Sequence, residues 1–228
     1  QDGDAVITVS DVAKVAQFNT INAATSSNVV LTGGVTDTAA AYATAGGTTT
    51  AGLTAIAAQD GDAVITVSDV AKVAQFNTIN AATSSNVVLT GGLTDQAVNF
   101  ATTGGTATSG LTNATTQDGD VAITVSGGTA PTIQQLLAID NETSGVLTYT
   151  SIRDTAANLV TNSGGYLSGS FPVTITNAPS VAQLKSINDA TSGAITLLDV
   201  TGTLLGAAAD LVDAFAGSVT THNGTIII

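Results

Sequence analysis

Short β-branched runs alternate with helically spaced apolar residues along the whole chain. The run Val6-Ile7-Thr8-Val9 is bounded by Asp, Gly and Ser, and its counterparts lie at 64–67, 122–125 and 173–176. Such runs predict short strands buried on both faces. A stripe of apolar residues three apart follows each strand: Val15, Phe18 and Ile21; Val73, Phe76 and Ile79; Ile133, Leu136 and Ile139; Val181, Leu184 and Ile187. That spacing places the anchors on one narrow helical face. Ser10 and Ser68 are the expected N-caps, with Asp11 and Asp69 beside them favouring the positive helix end. Thr-Ser-Gly at 143–145 and 191–193 is expected to stop the helix.

A second strand is predicted at 29–32, 87–90, 146–150 and 194–198. A second helix is then expected at 37–42, 95–100, 154–159 and 206–211, with one large anchor each: Tyr42, Phe100, Leu159 and Leu211. Glycine pairs at 46–47, 104–105 and 164–165 are expected to end it.

The pattern repeats because the sequence does. Residues 1–34 recur without change at 59–92, a period of 58, and diverged copies begin at Gln117 and Ser170. The expected organisation is four repeats, 1–58, 59–116, 117–169 and 170–224, with 225–228 as the first strand of a following copy. The segments 48–59 and 106–117 are longer than their later counterparts, and their role is open. The fold expected is α/β: an open right-handed βα solenoid of two strand–helix coils per repeat, a parallel sheet on one side and short helices on the other. Eight coils and a terminal strand would give nine parallel strands, roughly 38 Å of sheet at about 4.8 Å per strand. A closed eight-fold βα barrel has the right unit count, but the exact duplication and the ninth strand favour an open stack.

Composition narrows the function. Seventeen acidic against four basic residues give a net charge of −13, which argues against nucleic acid and anionic membranes as partners. The absence of cysteine excludes disulfides and thiol chemistry. No apolar run approaches the ~20 residues that cross a bilayer, so no membrane insertion is expected. There is no initiating Met or signal sequence, which suits a mature or excised piece.

The runs Val-Ala-Gln-Leu-Lys-Ser-Ile-Asn-Asp-Ala-Thr-Ser-Gly-Ala-Ile-Thr-Leu (181–197) and Leu-Thr-Tyr-Thr-Ser-Ile-Arg-Asp-Thr-Ala-Ala-Asn-Leu-Val (147–160) resemble tandem repeats of giant bacterial cell-surface proteins. Those proteins include the swimming-associated type of marine cyanobacteria. The resemblance covers essentially the whole chain. It implies an extracellular, envelope-attached array and no particular activity.

Candidate chemistry is sparse. The single histidine, His222, lies in a Thr-Thr-His-Asn-Gly turn and is expected to be a solvent-exposed turn residue. The acidic residues recur with the repeat, which points to structure rather than to one catalytic centre. No enzyme is expected. Asp-Gly-Asp before the first strand of three copies offers Asp2, Asp4, Asp60, Asp62, Asp118 and Asp120 as calcium ligands, since carboxylates on a tight turn suit a hard cation. Neither calcium-loop consensus is present, and turns whose Asp residues satisfy local amides are the stronger expectation. Thr8, Thr66 and Thr124 are expected to stack in register, the kind of array that ice-binding surfaces use. The resulting expectation is a structural spacer, filament or lattice component at the cell surface with no cofactor, self-associating or joined to adjacent repeats. A calcium-dependent or polysaccharide-binding adhesin is the alternative, and ice binding a distant third.

Overall fold

The computed structural model describes residues 5–228. Among the described residues the chain is α/β, with ten helices and thirteen short strands. In chain order these are β1 (Ile7–Val9), α1 (Val15–Asn22), β2 (Val29–Leu31), β3 (Val35–Asp37), α2 (Ala39–Tyr42) and α3 (Ala51–Gln59). There follow β4 (Ile65–Val67), α4 (Val73–Ala82), β5 (Val87–Leu89), β6 (Leu93–Asp95), α5 (Ala97–Phe100), α6 (Ser109–Gln117) and β7 (Ile123–Val125). The remainder is α7 (Ile133–Glu142), β8 (Leu147–Thr148), β9 (Ile152–Asp154), α8 (Ala156–Thr161), β10 (Val173–Ile175), α9 (Val181–Ala190), β11 (Ile195–Leu197), β12 (Leu204–Leu205), α10 (Ala208–Ala214) and β13 (Ile226–Ile227).

The chain forms two compact units. Of the described residues, one comprises 5–95, Thr108–Thr124 and Asn141–Leu147; the other comprises Gln96–Ala107, Val125–Asp140 and Thr148–Ile228.

In the first unit β1 pairs with β2, and β4 lies between β3 and β5, all parallel. In the second, β10 lies between β9 and β11, and β12 pairs with β13, again parallel. A further sheet has the order β6-β7-β8. The helices between paired strands supply the crossovers that parallel pairing requires.

A nine-stranded continuous sheet is therefore not what forms. The sheets are short and separate, because each copy carries a third strand that the sequence pattern hid. After β2 the chain turns at Gly33-Gly34, where Gly34 (φ +73°) donates its N–H to the Leu31 carbonyl. Val35 then donates to Val64 of the next copy. The turn thus hands the chain to a different sheet, one strand further along. Each three-stranded sheet takes its first strand from one sequence copy and the other two from the next.

The expected anchors form the core except Ile21, which is only half-buried. Phe18, Phe76, Ile79, Leu136, Ile139, Leu184 and Ile187 are wholly buried, as are Tyr42 and Phe100 on the second helices. Two details differ. The helix N-caps are Lys14 and Lys72, not Ser10 and Ser68. The chain stays extended past each serine so that Ala13 and Ala71 can bridge Val35 and Leu93. The glycine pairs also do not end α2 and α5. They turn a short antiparallel return, Ala43 against Thr49 and Ala101 against Ala107, with Gly47 and Gly105 at φ +82° and +83°.

The longer segments of the first two copies are helices α3 and α6. Gly52 and Gly110 let them approach α1 and α4: a Cβ there would stand 2.4 and 2.5 Å from Val15 and Val73. The third copy lacks such a helix. In the second unit, Tyr166 and Leu167 are buried in that segment, with the Tyr166 hydroxyl on Asp140 and the Tyr149 ring against Tyr166 and Phe171. Among the described residues, no helix is long and apolar enough to cross a membrane.

Candidate functional site

The Gln-Asp-Gly-Asp turns are strand-edge caps. In a parallel strand, alternate N–H groups point away from the neighbouring strand, and on an edge they need another acceptor. Helix α3 ends in Gln59, and the turn that follows swings back over the edge of β2. The Gln59 Oε1 accepts the Val29 N–H at 3.1 Å, and an Asp60 carboxylate oxygen accepts the Leu31 N–H. Helix α6 does the same for β5: Gln117 takes Val87 at 3.2 Å and Asp118 takes Leu89 at 2.8 Å. The two side chains reproduce the acceptor spacing of an absent strand. Val29 and Val87 are fully buried, so an unpaired amide there would be costly.

Asp60 and Asp118 are half-buried, whereas Asp62 and Asp120 are exposed. Burial is the chief cause that raises the Asp60 carboxyl above the ordinary carboxylate range. A hydrogen bond shared with Asp62 and the Asp62 charge add to it, against the Leu31 amide. Asp118 is raised likewise by burial, with the Leu89 amide opposing and Asp120 adding. Asp118 and Asp120 line a cavity of about 330 Å³ with Val88, Leu89, Thr90, Val121 and Ala122.

Each turn thus brings together two of the expected carboxylates. Calcium takes six to eight oxygens. No group of three or more His, Cys, Asp or Glu side chains able to hold a metal occurs among the described residues. Asp2 and Asp4 lie outside the described residues.

A raised carboxyl in the folded state binds protons that the unfolded chain releases at about pH 3.9. The folded protein therefore holds more protons in the window just above that value, and stability falls as pH rises through it. Acidification from pH 7 towards about pH 4.5 is expected to raise the melting temperature. An Asp62→Asn, Asp120→Asn double variant should show a flatter profile, because the partner charges that lift Asp60 and Asp118 are gone. Identical profiles, measured by circular dichroism melts, would contradict this.

Four further acids also cap amides. Asp37, Asp95 and Asp154 each present Oδ2 to the first N–H of a long helix, at Val15, Val73 and Ile133 (3.1, 3.2 and 2.9 Å). Asp69 accepts the Ala39 N–H at 2.6 Å, and Asn177 serves Ala156 at 2.8 Å. Buried Gln75 and Gln135 accept the N-cap amides of their helices and donate to the carbonyls of Ala43 and Ala101. These residues were invisible as a set in the sequence, because their partners lie 21 to 34 residues away.

His222 is half-buried rather than exposed, against Phe215, and its enclosed Nε2 has no hydrogen-bond partner. The threonine ladder does not form as expected. Thr8 stands beside Val30, and Thr66 between Thr36 and Val88, because each sheet inserts strands from the neighbouring half-repeat. Comparison with models of known protein families, with curated proteins and with solved structures found no match.

Proposed function

We propose that this chain is a non-catalytic structural segment of an extracellular cell-surface protein, a spacer, filament or lattice component built as an open right-handed βα solenoid of four repeats. The observation that carries this reading is the sharing of sheets across repeat boundaries. With β3 of one copy paired to β4 of the next, each boundary is sealed by backbone hydrogen bonds as well as by apolar packing. Strand β13 sits parallel against β12 as β4 sits against β3, so the same strand pairing recurs at the fourth copy. Asp37, Asp60, Asp69, Asp95, Asp118 and Asp154 are engaged in capping amides, which suits a load-bearing role.

In such an array, stability is a sum of repeat and nearest-neighbour terms, so one whole period can be removed without breaking the stack. Deletion of residues 59–116, which joins Ala58 to Gln117, is expected to give a folded protein with an unchanged circular dichroism band shape and a smaller denaturant m-value. An unfolded deletion product would contradict the solenoid reading.

A second reading, a calcium-dependent adhesin, draws support from the closeness of Asp60 to Asp62 and of Asp118 to Asp120. It requires further oxygen ligands beyond each pair and predicts a calcium-dependent melting temperature.

A further inference from the structure

The strand register brings the chain's few cations to one recurring corner. Thr36 donates its backbone N–H to Ala13, Thr94 to Ala71, and Arg153 to Pro131. The residue after each acceptor is the one that opens a long helix: Lys14, Lys72 and Thr132. Each corner therefore holds one cation, on the helix cap in the first two copies and on the strand in the third. The pairs are Lys14 with Thr36, Lys72 with Thr94, and Thr132 with Arg153. Three of the chain's four basic residues occupy this position. The fourth, Lys185, is paired with Asp213 and Asp210. The corner cations form no ion pair among the described residues, although the chain carries seventeen acids.

In the third copy the corner is a cavity of about 250 Å³, lined by Arg153 with Val98, Ala130 and the threonines 103, 129, 132 and 176. Gln135 and Asp154 complete the lining, and both are committed elsewhere. The Asp154 carboxylate accepts the Ile133 and Thr155 amides and the Asn158 side-chain amide, and Gln135 bridges two backbone groups. Neither forms an ion pair with the guanidinium.

We propose that these corners bind the carboxylate groups of an acidic polysaccharide, with Arg153 anchoring one uronate residue in its pocket. A guanidinium matches a carboxylate in a two-pronged geometry. The Thr132 hydroxyl is engaged with the Thr103 carbonyl and the Gln135 amide, but those of Thr103, Thr129 and Thr176 can both donate and accept, which suits the hydroxyls of a sugar ring. One guanidinium in a hydroxyl-bearing pocket matches one uronate carboxylate at a time, and the net charge of −13 disfavours the denser phosphate charge of duplex nucleic acid. This goes beyond the spacer reading and would stand or fall independently of the repeat deletion.

The test is calorimetric titration of the full chain with polygalacturonate, monomeric galacturonate and neutral dextran at about 0.15 M ionic strength, where salt screens the repulsion between a chain of net charge −13 and the polymer. Binding of both uronates but not dextran is expected, with the polymer tighter per uronate than the monomer. Arg153→Thr places there the residue that Thr36 and Thr94 already supply at matching corners, and it should weaken galacturonate binding about tenfold or more. Arg153→Lys should retain part of the affinity, and the melting temperatures of both variants should stay near that of the parent. If Arg153→Thr melts early, Lys14→Thr with Lys72→Thr replaces it and should weaken binding of the polymer. Absence of uronate binding by the parent chain would overturn the proposal, as would undiminished binding by folded Arg153→Thr. Equal affinity for monomer and polymer would overturn the assignment to a polysaccharide.

Discussion

Gly91→Ala should destabilise the protein by about 3 kcal/mol or more, at the upper end of what overpacking costs. A Cβ on Gly91 would lie 2.1 Å from the carbonyl carbon of Asp69 and 2.6 Å from the Val70 nitrogen. These are backbone atoms of a neighbouring turn, so no side chain can move aside. That turn is held in place by Ala71, which donates to Gly92, and by Thr94, which donates back to Ala71. Gly33 meets Asp11 in the same way, with its Cβ position 2.2 Å from the Asp11 oxygen. The crowding is thus a property of the repeat. Gly46→Ala is the control: nothing lies within 4 Å of its Cβ position, and its effect should be near zero or slightly stabilising. Urea unfolding of the two variants checks the contrast. Equal midpoints would mean that the turns do not stack as described.

The second large effect is expected at the strand-edge caps. In Asp60→Ala with Asp118→Ala, the Leu31 and Leu89 amides lose their acceptors. Both leucines are nearly fully buried, so water reaches the freed amides poorly. Leaving a buried donor unpaired costs about 1–3 kcal/mol, so the pair should cost about 2–6 kcal/mol if the sites add. Asparagine keeps an oxygen at the same place and removes a half-buried charge. Asp60→Asn with Asp118→Asn should therefore be close to neutral at pH 7. Equilibrium unfolding at pH 7 separates the two outcomes.

The apolar pattern made the core legible. Val73, Phe76 and Ile79 announce one buried helical face, and the structure buries all three. The third strand was not legible, because Val35-Thr36-Asp37 is only three residues long and runs straight into Ala-rich helix α2. A helical reading from Asp37 absorbed it. The N-caps depart from the serine signal for a related reason. Ser68 stands next to Asp69 in a cap-like pair, but Ser68 donates its N–H to Asp37, and the Asp69 carboxylate serves Ala39 of another helix. Sequence proximity suggested a local cap where the partner is 30 residues away. The acidic turns showed the same limit. Asp-Gly-Asp was readable as a turn or as half a cation site, and only the register shows that its first carboxylate faces the edge of a strand. The alternation of Lys14, Lys72 and Arg153 likewise has no sequence signature, since the cation changes element between copies.

The acidic turns hold the edges of β2 and β5 through the Leu31 and Leu89 amides. Melting the parent chain, Asp60→Asn with Asp118→Asn, and Asp60→Ala with Asp118→Ala, each with calcium and with EDTA, tests this most directly. The strand-cap account predicts that the asparagine variant melts with the parent, that the alanine variant melts well below both, and that calcium changes none of the three. A calcium-dependent rise in the parent that both variants lose equally would contradict it.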